Sequence, residues 1–314
     1  FMEPPDGPAW RTHAVVVVHG GRLVAERYAP GYSERNRFNG WSMTKSVTSA
    51  LAGILAADGV LDLRAAALHP LWRAGSDPRA AITLEQLLHM SSGLEFDETY
   101  SITGGAARLL FDSEDVAAAG AAWPLAHEPG TRWYYSSATT NMVSFHLREL
   151  IGDDGAYAAF PARRLFHRIG MRTAVLEADA AGTFVGSSFM YATARDWARF
   201  GLLYLRDGVW NGERVLPAGW VEWSLTPAPA AARGLYGGHW WLNAGAADDT
   251  LRRAWPWLPR DVFWASGFQG QRILVVPSHD LVVVRLGLAD EGVPGEWDAG
   301  VFLRSIVAAF TAVH

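Results

Sequence analysis

The chain has 314 residues, of which 50% are hydrophobic and 19% charged, and its formal net charge at pH 7 is -5. This composition is typical of a globular protein with a large core, and the lack of a basic tract argues against nucleic acid as a partner. Cysteine does not occur in the sequence, which excludes disulfide bonds, thiol catalysis and thiolate metal ligands.

The first predicted elements are two strands near the N-terminal end. A valine-rich run at residues 13–19 and a second run at 22–28 flank Gly20-Gly21, which predicts a β-hairpin. A helix is predicted next, because apolar residues recur with helical spacing from Val47 until Asp58 ends the pattern.

Ser42 and Lys45 lie one turn apart on the same face at the start of this predicted helix. Lysine and arginine together number 27, and Lys45 is the only lysine, so the other 26 are arginine. Unlike arginine, a lysine in a desolvated site can lose its proton near neutral pH and act as a base. The pair forms a Ser-x-x-Lys pattern, the signature of an acylating serine. The alternative is a helix-capping serine followed by a solvated lysine.

The middle of the chain is predicted to be mostly helical, with helical spacing at residues 84–90, 114–120, 138–150 and 194–207. Tyr135 lies between a Pro-Gly turn and the third of these helices. A phenol beside a lysine ammonium has its charged form stabilised, so Tyr135 and Lys45 can exchange one proton. The alternative is a packing tyrosine whose hydroxyl reaches solvent.

Two further strands are predicted at residues 271–276 and 281–286, and a last helix carries one apolar face made of Phe302, Ile306, Phe310 and Val313. Strands at both chain ends with helices between them predict an α+β fold, in which an antiparallel sheet from both ends is flanked by helices beside a mostly helical subdomain. We assign residues 1–314 to a single domain. Its sheet region covers about 10–45 and 208–314, and its helical region about 46–207.

Four motifs follow one another along the chain: Ser-Met-Thr-Lys at 42–45, Leu-Leu-His-Met-Ser-Ser-Gly-Leu at 87–94, Tyr-Ser-Ser at 135–137 and Trp-Ala-Ser-Gly-Phe at 264–268. In this order and spacing they resemble the serine β-lactamase-like superfamily, in its class C β-lactamase and penicillin-binding-protein-like branch. Thr-Ala-Arg-Asp at 193–196 and Gly-Phe-Gln-Gly-Gln at 267–271 make the chain most similar to 6-aminohexanoate-oligomer hydrolases and related esterases. The resemblance runs from about residue 10 to the C-terminus and implies a β-lactamase/transpeptidase-like fold.

The resemblance implies a catalytic role for three side chains. Ser42 would be the acylated nucleophile, Lys45 its base, and Tyr135 a second base and acid. We prefer Tyr135 to Tyr134 because only Tyr135 directly precedes a serine, as the family tyrosine precedes a serine or alanine.

The same resemblance implies how the substrate is held. The backbone N–H groups of Ser42 and Phe268 would form the oxyanion hole, and Ser137, Ser266 and Gly267 would contact the substrate. No metal ion or cofactor is expected.

Two departures from the family pattern affect the expected substrate. The family's Tyr-x-Asn is Tyr-Ser-Ser at 135–137, and its Lys-Thr-Gly is Ala-Ser-Gly at 265–267, so an amide and a cation are lost. Because that cation helps to hold a substrate carboxylate, its loss argues against good β-lactamase activity. Arg272 either supplies a substitute charge or is a solvated strand residue. Five tryptophans either line an acyl pocket or fill the core: Trp240, Trp241, Trp255, Trp257 and Trp264.

We therefore expect a serine hydrolase that cleaves an ester or amide bond through an acyl-enzyme on Ser42, with a small-molecule ester, amide or peptide as substrate. The alternatives are a D-alanyl-D-alanine peptidase, a weak β-lactamase, and a sensor that is acylated without turnover. The motifs of Ser-His-Asp hydrolases and of His-Glu-x-x-His metalloenzymes are absent from the sequence. The oligomeric state stays open. The start at Phe1 slightly favours export or anchoring through a missing N-terminal segment over a cytoplasmic location.

Overall fold

The computed structural model describes residues 11–73, 75–245, 252–289 and 297–311. The strands in these ranges are β1 (Thr12–His19), β2 (Arg22–Tyr28), β3 (Arg37–Asn39), β4 (Val175–Leu176), β5 (Met190–Thr193), β6 (Val209–Trp210), β7 (Glu213–Arg214), β8 (Trp241–Leu242), β9 (Phe263–Gly267), β10 (Gln271–Val276) and β11 (Leu281–Gly287). The α-helices are α1 (Met43–Ala57), α2 (Leu84–Leu88), α3 (Gly105–Phe111), α4 (Val116–Ala121), α5 (Ser137–Ile151), α6 (Asp154–Pro161), α7 (Ala194–Leu205), α8 (Trp220–Leu225) and α9 (Ala299–Thr311). Within the described ranges, no helix combines the length and the apolar character needed to cross a bilayer.

The main sheet has six antiparallel strands in the order β2-β1-β11-β10-β9-β8. The two ends of the chain meet in it, because β1 pairs with β11 from Thr12 to His19. Side chains alternate between its faces, so that Val16 faces α7 while Val15 faces α9. Both faces are therefore covered, which explains the valine- and leucine-rich central strands.

Helix α1 is buried on every side, since all its residues from Met43 to Leu55 are buried. It contacts α5 on one side and β9 and β10 on the other, and so lies between the helical region and the sheet. A small residue permits this close packing: a Cβ built on Gly53 would lie 2.5 Å from the ring of Trp220. The N-terminal end of α1 is thereby fixed at the junction of the two regions.

The predicted α+β fold with its antiparallel sheet is confirmed. The four predicted helical patterns correspond to α2, α4, α5 and α7, whereas α3, α6 and a small sheet of order β3-β5-β4 were not predicted. Strands β4 and β5 lie in the region predicted as helical, and they are too short to show an alternating pattern. Val313 and residues 1–10 lie outside the described residues. The division into one domain with two regions stays a prediction.

Candidate active site

Ser42 lies at the N-cap of α1, directly after a tight turn. The preceding residue, Trp41, has a left-handed φ of 48°, and its N–H donates to Asn39 Oδ1 at 2.9 Å. A bulky residue adopts this conformation only where its surroundings impose it. The Ser42 side chain makes no capping hydrogen bond. The alternative of a capping serine is therefore wrong.

Lys45 points into the interior beneath Ser42. Only 1% of its surface is exposed, so the alternative of a solvated lysine is also wrong. Its Nζ donates to Ser42 Oγ at 3.0 Å, to Ser137 Oγ at 3.0 Å and to the carbonyl oxygen of Ser187 at 3.1 Å. Burial lowers the pKa of Lys45 to about 8, and the negative charge of Glu98 opposes this shift. The amine is thus in contact with the hydroxyl and able to lose its proton near neutral pH.

Glu98 is a site residue that the sequence did not reveal. Its Oε1 accepts a hydrogen bond from Ser137 Oγ and its Oε2 accepts one from the Ser137 N–H, each at 2.6 Å. Ser137 therefore links the carboxylate to the Lys45 ammonium. In the sequence, nothing distinguishes Glu98 from its acidic neighbours Glu95 and Asp97, because its role depends on a contact with a residue 39 positions away.

The location of Ser137 differs from its predicted role in substrate binding. Its side chain is fully buried at the first turn of α5 and does not line the cleft that contains Ser42. Its hydroxyl contacts Lys45 and Glu98 instead, and its role in substrate binding stays a prediction.

Tyr135 lies in the cleft beside Ser42, whereas Tyr134 does not line the cleft and is 43% exposed. The Lys45 Nζ lies 4.8 Å from the centre of the Tyr135 ring. Burial raises the pKa of the Tyr135 phenol well above its usual value, and the interactions with Tyr236 and Glu98 add to the rise, while a hydrogen bond with Ser42 opposes it. The Lys45 ammonium was expected to stabilise the charged phenolate, but burial has the larger effect on the pKa. Tyr135 therefore carries its proton at neutral pH.

The fourth motif, at residues 264–268, closes the other side of the cleft at the end of β9. Ser266, Gly267 and Phe268 all line the space in front of Ser42. Gly267 approaches the loop at residues 40–42, the Ser42 loop, so closely that a Cβ on it would lie 2.1 Å from the carbonyl oxygen of Gly40. The cleft has a volume of about 420 Å³. It is lined by Ser42, Glu98, Tyr100, Tyr135, Trp241, Ser266, Gly267, Phe268, Gln269 and Ala289.

Comparison with known proteins supports the fold and the family. A family model described as Beta-lactamase matches residues 7–294. The chain belongs to the beta-lactamase family. Among curated proteins, the chain is 23% identical over 297 residues to the 6-aminohexanoate-dimer hydrolase of Paenarthrobacter ureafaciens, a match that covers 88% of this chain and 72% of that protein.

Two solved structures show the same fold as this beta-lactamase-family chain. A penicillin-binding protein from Bacillus halodurans superposes with a TM-score of 0.69 at 16% identity, covering 97% of this chain and 98% of that one. A family VIII carboxylesterase superposes with a TM-score of 0.72 at 17% identity, covering 96% of this chain and 93% of that one. The resemblance inferred from the four motifs is confirmed, and the family and its hydrolase-named relatives support a hydrolase.

Arg272 does not replace the cation that this member of the beta-lactamase family lacks. Its side chain is 7% exposed and does not line the cleft. Its Nη1 donates to the carbonyl oxygens of Gly267 at 3.1 Å and Gln271 at 2.8 Å. Arg272 is therefore neither a substrate-facing charge nor a solvated strand residue, but a buried donor to the backbone.

Four of the ten residues that line the cleft are aromatic. Tyr100 stacks on Phe268 with ring centres 4.7 Å apart, and Trp41 meets Phe268 edge-on at 5.5 Å. Trp241 lines the opposite side and stacks on Tyr135. Of the five clustered tryptophans, Trp241 alone lines the cleft; the others pack in the core or, for Trp257, are exposed: Trp240, Trp255, Trp257 and Trp264. The described residues contain no group of three or more histidine, aspartate or glutamate side chains placed to bind a metal ion.

Proposed function

We propose that this protein is a serine hydrolase that cleaves esters or amides through an acyl-enzyme on Ser42. The observation that supports this most strongly is the buried Lys45, whose Nζ lies 3.0 Å from the Ser42 hydroxyl and whose pKa is lowered to about 8. An amine with this pKa is neutral in roughly one molecule in ten at pH 7, which suffices for a general base.

In the proposed acylation step, neutral Lys45 accepts the Ser42 proton as Ser42 Oγ bonds to the substrate carbonyl carbon. The carbonyl oxygen becomes an oxyanion that accepts hydrogen bonds from the N–H groups of Ser42 and Phe268. Tyr135, which keeps its proton at neutral pH, donates it to the departing alcohol or amine as the bond to the leaving group breaks. The Lys45 ammonium then returns the proton that Tyr135 has lost.

Deacylation follows the same path in reverse, with water in place of the leaving group. Water loses a proton to the base as it attacks the acyl carbon, and Ser42 Oγ regains a proton as the ester bond breaks. The cleft has aromatic walls and one carboxylate, Glu98, but no cationic side chain among its lining residues. Substrates without a carboxylate fit this lining better than the carboxylate-bearing substrates of a β-lactamase or D-alanyl-D-alanine peptidase.

The experiment that tests this proposal combines intact mass with steady-state turnover. With p-nitrophenyl butyrate we expect a butyryl adduct on Ser42 and continuous release of p-nitrophenol, both absent in Ser42→Ala and retained in Ser305→Ala, a change on the exposed side of α9. A single burst without further release would instead identify an acylated sensor. Wild-type turnover in Ser42→Ala would refute the acyl-enzyme, and a panel of linear amides and penicillins would define the acyl preference.

A further inference from the structure

The backbone that carries Phe268 is held by buried side chains on the side away from the cleft. Arg272 Nη1 donates to the Gly267 carbonyl at 3.1 Å, immediately before the Phe268 N–H in the chain. Gln271 Nε2 donates to the Phe268 carbonyl at 3.1 Å and to the Gln269 carbonyl at 3.4 Å. Both Arg272 and Gln271 are less than a tenth exposed. Hydrogen bonds therefore fix the carbonyl on each side of Phe268.

A third side chain, Arg285 of β11, continues this arrangement. Its Nη1 donates to the carbonyls of Gln269 at 3.3 Å and Gly270 at 3.2 Å. The Gln271 amide is itself tied to β11, because its Nε2 contacts the Gly287 carbonyl and its Oε1 accepts from the Gly287 N–H at 3.0 Å. Five successive carbonyls, from residue 267 to residue 271, thus accept hydrogen bonds from three buried side chains of the central strands.

This arrangement determines the direction of an N–H group. In a trans peptide the N–H of one residue points opposite to the carbonyl of the residue before it, and no cis peptide occurs among the described residues. Fixing the Gly267 carbonyl therefore fixes the Phe268 N–H in the opposite direction. The turn has a left-handed φ of 59° at Gln269, which costs a non-glycine residue free energy, and of 82° at Gly270, which glycine adopts freely.

We infer that Arg272 and Gln271, supported by Arg285, are positioning residues that aim the Phe268 N–H at the substrate oxyanion. This inference rests on the proposed acyl-enzyme mechanism. The buried donors hold these peptide planes in one orientation, and they thereby supply the preorganisation on which an oxyanion hole depends. The role differs from that of Ser42 and Lys45, because these side chains act through the backbone and do not touch the reacting atoms.

The test compares Gln271→Met with Asn243→Leu, each of which replaces a buried amide by an apolar side chain of similar shape. Asn243 is a matched control, since its Nδ2 also holds loop carbonyls, those of Trp255 at 3.0 Å and Pro259 at 2.9 Å, but lies near the opposite end of β9 from Phe268. The readouts are kcat and KM for p-nitrophenyl butyrate, inhibition by phenylboronic acid, and thermal unfolding. Ser42 Oγ adds to boron while its proton passes to the base, giving a tetrahedral anion whose oxygen occupies the oxyanion hole.

We expect Gln271→Met to lower kcat by about tenfold or more, short of the about 10²- to 10³-fold loss that removal of one oxyanion donor causes, with KM changed less than about threefold. Phenylboronic acid should lose affinity in proportion to kcat. Asn243→Leu should leave kcat and the affinity for phenylboronic acid near those of the wild type, even if its unfolding temperature falls as far as that of Gln271→Met.

Arg272→Lys provides a second arm that keeps the charge but replaces the planar guanidinium, whose Nη1 donates to both the Gly267 and the Gln271 carbonyls, by an ammonium of different reach and geometry. This variant decides the question if Gln271→Met does not fold. A kcat and a boronate affinity within about twofold of the control in the folded variants would overturn the inference. Failure of the wild-type protein to form an adduct on Ser42 would refute the acyl-enzyme mechanism and this inference together. A wild type that acylates alongside variants that match the control would refute the positioning role alone.

Discussion

At the scale of single residues, Lys45 combines complete burial with neutral partners. Its ammonium contacts two hydroxyl oxygens and one carbonyl oxygen, and the nearest opposite charge, Glu98, is reached through Ser137. Burial therefore disfavours the charged form more than Glu98 restores it. The side chain that most proteins place in solvent is held here where it can act as a base.

Lys45→Arg tests whether proton acceptance, and not merely positive charge, is required at this position. Arginine stays protonated near neutral pH, so we expect kcat/KM for p-nitrophenyl butyrate to fall by about 10²- to 10⁴-fold while the protein stays folded. The control is Arg206→Lys, the reverse exchange in an exposed ion pair with Asp280, which should leave kcat/KM unchanged. Turnover of Lys45→Arg at the wild-type rate would contradict the assignment of Lys45 as the base.

The pH dependence of kcat/KM reports the proton that Lys45 carries. Since the neutral amine is the reactive form, kcat/KM should rise with pH and level off above a pH of about 8. The charge on Glu98 raises the pKa of Lys45, so Glu98→Gln should lower that pKa and move the rising limb to lower pH. Glu95→Gln removes an exposed charge from the same loop and should leave the profile in place. A rising limb that does not move in Glu98→Gln would argue against this coupling.

The sequence predicted Ser42 and Lys45 because their relation is local: three positions on one helix place them together. Tyr135 was predicted through its motif, although the direction of its pKa shift was not, since that shift depends on burial. Glu98 and Ser187 could not be predicted from their spacing, because each meets Lys45 or Ser137 only through the folding of distant segments.

At the scale of elements, the site forms where three of them meet: the start of α1, the start of α5 and the end of β9. The long elements were predicted from periodicity, since α5 and α7 show many turns of a repeating pattern. Strand β3, which leads into the Ser42 turn, has three residues and no readable alternation. The close approach of β9 to the Ser42 loop also leaves no signal in the sequence beyond a glycine at 267.

Gly267→Ala tests that approach. The added Cβ would lie 2.1 Å from the Gly40 carbonyl oxygen, so β9 and the Ser42 loop must separate. We expect this separation to lower the free energy of unfolding by about 1 to 3 kcal/mol and to reduce kcat. Gly155→Ala is the control, because on α6 the nearest atom to the new Cβ is 3.4 Å away and alanine favours a helix. Urea unfolding and ester turnover measure the two effects, and a fully active Gly267→Ala would show that the contact does not position the site.

At the scale of the whole molecule, the distribution of charge was only partly predictable. All 27 lysine and arginine residues lie within the described ranges, yet none lines the cleft, and the one lysine lies beneath Ser42. The sequence indicated the loss of a cation at the fourth motif, because Ala265 stands where the family has lysine. It did not show whether Arg272 would fill the gap, since a strand residue can point to either face of a sheet.

This charge distribution predicts that the protein discriminates against anionic acyl groups. A substrate carboxylate would meet Glu98 and aromatic rings without a paired cation, whereas a charge-assisted hydrogen bond to such a cation contributes about 1.5 to 3 kcal/mol. We therefore expect kcat/KM to be at least about tenfold lower for mono-p-nitrophenyl succinate than for p-nitrophenyl butyrate, which shares the leaving group and has an uncharged acyl chain of similar length. Salt should reduce the difference in kcat/KM between the two esters, because it screens the repulsion between the substrate carboxylate and Glu98. Glu98→Gln should reduce this difference further, because it removes the charge of Glu98. Equal kcat/KM values for the two esters at low ionic strength would show that a cation does reach the acyl group.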